Sequence, residues 1–288
     1  MTAFFTDPLG RRTWVLPVPI PGRRGRRDAF RETVEGRTVL ITGASSGIGR
    51  EAALKIGRAG GRPLLVARGE EALQEVADEL ASAVGEASVY PTDLSQNDQI
   101  EALLERVHAD HGAVDILINN AAHSIRRSVK LSTDRLHDYD RTMQLNYRGA
   151  LQLVLGLLPA MRERRSGHVI NVSTMGVQWG APRFSAYLAS KAALDAFTRV
   201  TAAEMTGTGI AFTTIHMPLV RTPMIEPTRL YDSMPAISSG QAANCICEAI
   251  RVRPRTMDLP VGPVGEAAYA LVPGLVDRMM NRAFRAVR

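Results

Sequence analysis

A single α/β domain, built as a doubly wound parallel sheet with helices on both faces, is the fold class predicted by three features of the chain. Short apolar runs alternate with segments of helical periodicity from residue 37 onward. A glycine-rich turn closes the first apolar run and opens the first helical segment. The chain is also long enough, at 288 residues of which 45% are hydrophobic, to bury one large core rather than two small ones.

The elements follow in order. Residues 38–42 read as the first buried strand and 47–59 as its helix, then strand 63–67 with helix 70–83, strand 88–91 with helix 96–108, and strand 116–119. A long helical pattern over 133–164 leads to strand 168–172, helix 184–205 to strand 211–216, and helix 241–253 follows. Each helix carries apolar residues three and four apart, and each strand is short and almost wholly apolar, as expected of strands covered on both faces. Right-handed crossovers place ligands beyond the carboxyl ends of such strands. Pro223, Pro227 and Pro235 break the pattern over 221–239, which reads as a loop with short helical turns covering a substrate site. The domain is expected over residues 32–262, after a basic arm at 1–31 and before an apolar and basic extension at 263–288.

Charge and cysteine content exclude several function classes. The net charge of +6 is concentrated in the arm, where seven arginines face only Asp7 and Asp28, leaving the body nearly neutral. With 5% aromatic residues and no basic patch in the body, a nucleic-acid binder is excluded. Arg11-Arg12 superficially resembles an export signal, but Pro17, Pro19 and Pro21 interrupt the following apolar run, and a solvated arm is expected instead. Cys245 and Cys247 sit two apart on a predicted helix and cannot face each other, so neither a disulfide nor a metal site is expected. No run of about 20 apolar residues is present to span a membrane. A cytoplasmic location is expected, with peripheral membrane contact left open for the apolar stretch over 269–284.

Two motifs carry chemistry. In Thr42-Gly43-Ala44-Ser45-Ser46-Gly47-Ile48-Gly49, glycines let backbone approach a pyrophosphate, and the helix start supplies unpaired N–H groups and positive dipole. After the second strand the chain offers Val66-Ala67-Arg68 and no acid until Glu70, which favours NADP(H) over NAD(H), with Arg68 on the 2′-phosphate and Ser45 or Arg50 assisting. Asp93-Leu94 follows the third strand, where an acid can bond the adenine. Asn119, Asn120 and Ala121 end the fourth, where backbone lies against the adenosine. In the second motif, Tyr187 and Lys191 are four apart and share a helix face, so the ammonium can favour the ionised phenol. A phenol of pKa about 10 must fall by roughly 3 units to be half-ionised near neutrality.

With these motifs in order, the chain resembles the short-chain dehydrogenase/reductase family, a Rossmann-fold group, over about residues 36 to 262. The resemblance implies a catalytic set: Ser173 polarises the substrate carbonyl, Tyr187 delivers the proton, Lys191 holds the nicotinamide ribose, and Asn146 anchors a water in the proton relay. It also implies cofactor contacts at Pro218, Val220 and Thr222 and a homodimer or homotetramer, with the helices around Asn146 and Tyr187 in contact. Ala122 replaces the glycine of the family's NNAG, and Met217-Pro218-Leu219 replaces its Pro-Gly.

A narrower resemblance concerns the substrate. Ser124-Ile125-Arg126-Arg127-Ser128, His137-Asp138-Tyr139, Pro182-Arg183-Phe184-Ser185-Ala186 and Val220-Arg221-Thr222-Pro223-Met224 are similar to bacterial fatty acyl-CoA reductases of this fold. That implies NADPH-dependent reduction of a long-chain acyl thioester to an aldehyde. Arg126, Arg127, Arg183 and Arg221 are then candidates for the CoA phosphates, and Met175, Val177, Trp179, Met224 and Ile225 for an acyl pocket. Two alternatives remain: a reductase of 3-oxoacyl thioesters or other bulky ketones, and a nucleotide-binding protein without turnover.

Overall fold

The computed structural model describes residues 4–6, 12–15, 24–83, 86–226, 231 and 234–285. The rest of the expected arm and, within the loop expected over 221–239, residues 227–230, 232 and 233 lie outside the described residues. Strands β1 (Phe4–Thr6) and β2 (Arg12–Val15) precede helix α1 (Arg24–Val34) and β3 (Thr38–Thr42). Next come α2 (Gly47–Arg58), β4 (Arg62–Ala67), α3 (Glu70–Ala83), β5 (Ser88–Pro91), α4 (Asn97–His111) and β6 (Ile116–Asn119). Helix α5 (Leu136–Met143) continues without a break through a π-helical segment, Gln144–Gly149, into α6 (Ala150–Glu163).

The second half holds β7 (Gly167–Thr174), the short α7 (Gly176–Trp179), α8 (Ser185–Glu204), β8 (Ile210–Met217) and β9 (Val220–Arg221). It closes with β10 (Ile237–Ser238), α9 (Ser239–Val252), β11 (Thr256–Asp258), α10 (Val261–Leu271) and α11 (Pro273–Arg285).

Seven strands form the parallel sheet in the order β11-β8-β7-β6-β3-β4-β5. From β3 the chain winds outward one way through β4 and β5, then returns to β6 and winds the other way. The crevice between β3 and β6, where the order reverses, is the topological switch point. Alternation along β3 shows how one short run serves two layers. Val39 and Ile41 pack into the core under α1, α2, α3 and α9, and Leu40 into the core under α4, α6 and α8. All three are fully buried, each contributing about 1.5–3 kcal/mol.

The structure departs from the sequence expectations at particular places. Strand β11 has only three residues, too few to show a periodicity. The single helix expected over 133–164 is interrupted by the π-helical segment. Helix α9 begins at Ser239 rather than 241, because the Ser238 hydroxyl accepts from the Gln241 N–H and the Gln241 side chain accepts from the Ser238 N–H. At the front, where a solvated arm is expected, β1 pairs antiparallel with β2, and β2 lies parallel to β11. Pairing there covers an otherwise open strand edge. Helix α1 straddles the boundary expected at residue 31, because Phe30 and the fully buried Val34 pack into the core. Among the described residues, no helix is long and apolar enough to cross a membrane.

Candidate active site

The glycine-rich turn lies at the switch point and is bound to its neighbours by backbone. Gly43 N–H donates to the Val66 carbonyl at 2.8 Å. The Thr42 hydroxyl oxygen accepts from the N–H groups of Asn120 and Ala121, both at 2.9 Å, and the Asn120 side chain donates to the Thr42 carbonyl. The turn after β6 is thereby fixed against the turn after β3. Gly43 and Gly47 hold φ of 67° and 55°, a left-handed region that favours glycine. A Cβ on Gly49 would sit 2.2 Å from the Gly43 carbonyl oxygen, and one on Gly47 would press on Thr222. Ser46 is the N-cap of α2, yet its side chain caps nothing, and the first turn carries no acid. The helix therefore presents unneutralised N–H groups and positive dipole, a cradle that fits a dinucleotide pyrophosphate.

The other expected cofactor residues are placed around this cradle. Arg68 follows β4, exposed, and makes no hydrogen bond or ion pair among the described residues. Arg50, expected to assist it, is instead bound to Glu79 at 2.6 Å. Arg68 and Arg141 both act on His123, whose pKa falls below the ordinary imidazole value through burial first and then those two guanidinium charges. Arg141, to which the sequence reading gave no cofactor role, is itself paired with Asp138 at 2.8 Å. Asp93 spends one carboxylate oxygen on the Ser95 N–H and hydroxyl. Leu94 is buried beside it. Asn119 directs its side chain away from the crevice, donating to Asn171, which donates to Thr198 on α8. Pro218 and Val220 flank the turn after β8, and Thr222 covers Gly47.

The expected catalytic residues meet where α8 packs on β7. Ser173, near the end of β7, is 3% exposed and its hydroxyl has no hydrogen-bond partner among the described residues. A buried, unpaired hydroxyl costs stability unless a ligand oxygen completes it. Lys191 is 2% exposed and its ammonium donates to the Val172 carbonyl at 2.7 Å. Burial lowers its pKa to about 8 against a smaller opposing effect of Asp195. The phenol of Tyr187 is not lowered as expected from Lys191. Burial, then Tyr231, then Asp195 raise its pKa well above the ordinary phenol value. Asn146 sits inside the π-helical segment, 1% exposed. Its side chain accepts from the His123 N–H and donates to the His123 carbonyl and to Ser190.

The arginines named for an anionic substrate separate into two kinds. Arg127 lies 3.4 Å from the buried Asp138, which also holds Arg135 and Arg141 at 2.9 and 2.8 Å and is kept below the ordinary carboxylate range, chiefly by its hydrogen bond from Arg135. Arg183 donates to the Phe284 carbonyl and Arg221 to that of Met234. Arg126 keeps a buried, unpartnered Nε, and its charge acts on Tyr231. Tyr231 in turn stacks on Phe184 with ring centres 6.4 Å apart. Of the expected acyl-pocket residues, Met175, Val177 and Ile225 are half-buried and Met224 is exposed. Trp179 packs on Gly265 of α10, where a Cβ would come within 2.3 Å of its ring. The apolar stretch at 269–284 spans the end of α10 and most of α11. Val276 is buried there, while Leu271, Leu275 and Met279 stay exposed.

A family model described as short chain dehydrogenase matches residues 37–232. A fatty acyl-CoA reductase of Acinetobacter baylyi is 49% identical over 88% of this chain and 86% of its own length. A fatty acyl-CoA reductase of Mycobacterium tuberculosis is 44% identical over 86% and 84%. Among solved structures, a metagenomic short-chain oxidoreductase in complex with NADP superposes with a TM-score of 0.68 at 28% identity, covering 79% of this chain and 97% of that one. A short-chain type dehydrogenase/reductase from Mycobacterium marinum gives 0.73 at 25% identity, covering 81% and 96%.

Proposed function

The chain belongs to the short-chain dehydrogenase/reductase family, and from that premise we propose that this oxidoreductase reduces long-chain fatty acyl-CoA to fatty aldehyde with NADPH. The two relatives named fatty acyl-CoA reductase, alike over most of both chains, carry this reading. The preference for NADPH rests on Arg68, exposed at the end of β4 with no acid before Glu70.

NADPH, when bound, would supply the hydride. Gly43, Ser45, Ser46, Gly47, Ile48 and Gly49 would hold the pyrophosphate, Asp93, Leu94, Asn119 and Ala121 the adenosine, and Pro218, Val220 and Thr222 the nicotinamide end. The unpaired Ser173 hydroxyl donates to the thioester carbonyl oxygen and stabilises the charge that grows there. Tyr187, whose raised pKa keeps the phenol protonated, delivers its proton to that oxygen. Lys191, fixed at the Val172 carbonyl, would hold the ribose, and Asn146 fixes the loop around His123. As the C–S bond of the resulting hemithioacetal breaks, its hydroxyl proton leaves, the C=O bond re-forms and the departing sulfur takes up a proton, giving aldehyde and free thiol. Arg126 is the candidate contact for a CoA phosphate, since its Nε has no hydrogen-bond partner among the described residues.

A homodimer or homotetramer is part of the same proposal. Val200 on α8 and Leu155 on α6 are more than half exposed, and a groove of about 520 Å³ lies between Met143, Tyr147, Phe197 and Val200. The deciding experiment follows NADPH absorbance with palmitoyl-CoA while titrating released thiol. Equal loss of NADPH and gain of thiol is expected. Turnover of a 3-oxoacyl thioester without thiol release overturns acyl-CoA reduction in favour of ketone reduction.

A further inference from the structure

Behind the catalytic face lies a buried polar chain that the proposed chemistry does not use. Asp195, one helical turn beyond Lys191, receives His216 Nε2 at 2.9 Å. The other ring nitrogen, Nδ1, lies 2.6 Å from Asp258 on β11, and Asp258 accepts from Gln178 on α7 at 2.8 Å. His216 is the register partner of Ser173 across β7 and β8, so imidazole and hydroxyl stand side by side on one face of the sheet. Four elements that surround the reacting groups are thus joined through one ring.

We propose that His216, bridged between Asp195 and Asp258, is a positioning residue that holds Lys191 in place and sets the charge it experiences. The inference rests on the reading of Lys191 as the cation working with Tyr187. Two kinds of observation support it. Along α8, Tyr187, Lys191, Asp195 and Thr198 form one face, and the last three bond to β7 or β8 through polar atoms. A slide of the helix by one turn breaks all three bonds at once, so the ladder fixes its register. The second is electrostatic. Lys191 donates to the Val172 carbonyl on β7 and feels the charge of Asp195 on α8; His216 on β8 bonds Asp195, Asp258 on β11 bonds His216, Ser173 is the register partner of His216, and Tyr231 in the loop acts on Tyr187. Of these, Asp195 is the near anion, and one of its oxygens is buried with no hydrogen bond. A proton shared with His216 neutralises much of that charge; burial alone disfavours the imidazolium, and the two aspartates overcome it, holding its pKa at about 10.

The test uses opposite charge changes at the same contact. Asp195→Asn removes the anion and His216→Gln removes its counter-charge. The pH profile of kcat for NADPH oxidation is measured with palmitoyl-CoA, or with a 3-oxoacyl thioester if only that is turned over. NADPH affinity is measured across the same pH range, and the unfolding midpoint alongside. The alkaline limb is expected to move down by about one pH unit in Asp195→Asn and up by a similar amount in His216→Gln. The pH dependence of NADPH affinity is expected to follow both shifts. Limbs that stay in place while both midpoints fall overturn the inference and leave the bridge a stabilising contact only. If His216→Gln does not fold, the downward shift in Asp195→Asn decides alone; failure of that variant to fold also overturns the inference. Lys191→Met separates the two levels. Loss of turnover keeps the underlying reading, whereas retained turnover with an unchanged limb removes that reading first.

Discussion

The Lys191 ammonium lies 2.7 Å from the carbonyl oxygen of Val172, the residue immediately before Ser173. One hydrogen bond therefore sets the helix that carries Tyr187 and Lys191 against the strand that carries the buried hydroxyl. Their relative placement belongs to the folded chain itself, and substitutions at single members of the set should separate chemistry from binding.

Tyr187→Phe removes the proton donor and keeps the ring. Turnover is expected to fall by about 10²–10⁴-fold or more, with NADPH affinity little changed. Steady-state rates and fluorescence titration check both; undiminished turnover means that the proton comes from another group.

Ser173→Ala deletes a hydroxyl that bonds nothing among the described residues. The variant should be at least as stable to heat as the parent, because a buried unpaired group costs about 1–3 kcal/mol. kcat should nevertheless fall by about 10²–10³-fold. Stability and rate moving together would mean that the hydroxyl is structural.

Arg68→Asp places an anion where the 2′-phosphate is proposed to lie. The KM for NADPH should rise by about 10–100-fold while that for NADH changes little, since a charged hydrogen bond is worth about 1.5–3 kcal/mol. Equal effects on both cofactors would remove Arg68 from the phosphate site.

Gly49→Ala drives a methyl to within 2.2 Å of the Gly43 carbonyl oxygen and 2.7 Å of the Asn120 amide. The turn must shift, at a cost of about 1–3 kcal/mol, and NADPH affinity should fall with it. Thermal unfolding and a binding titration give the two numbers; unchanged values would contradict the rigidity of the cradle.

Two buried histidines should bracket the pH range of stability. His216 is raised from 6.5 to about 10, so its contribution is complete below about pH 6.5 and lost as pH rises through 10. His168, fully buried and lowered to about 3, contributes above pH 6.5 and loses that contribution as pH falls toward 3. His168→Gln should flatten the acid side of an unfolding-midpoint curve and leave the alkaline side unchanged.

Much of this architecture was legible because it is local. Strands β3, β5 and β6 coincide with the expected runs, and the glycine turn and the Tyr187–Lys191 spacing announce their own geometry. What escaped is contact between distant segments. Gln178, Asp195, His216 and Asp258 share no spacing, and only the order of β7, β8 and β11 brings them together. The environment of Tyr187 was misjudged for a related reason. Position along a helix predicts that Lys191 is near, but not that its ammonium is taken by a strand carbonyl. Helices α10 and α11 were read only as an apolar stretch, because Gly262 and Gly265 seat α10 on Gln178 and Trp179, a docking that periodicity alone does not reveal.

The π-helical segment at Gln144–Gly149 has a geometric consequence for everything after it. A π-turn takes one residue more than an α-turn, and each residue of an α-helix advances the azimuth by about 100°. The helix leaving at Ala150 is therefore out of phase with the one that arrived at Met143, like a screw thread restarted partway round. Helix α5 can address α8 while α6 turns its apolar stripe to α4 and the sheet. Asn146 sits at the phase break, where a side chain reaches both the His123 backbone and Ser190. Removing a single residue from this segment would restore an even thread and rotate one of the two faces off its partner.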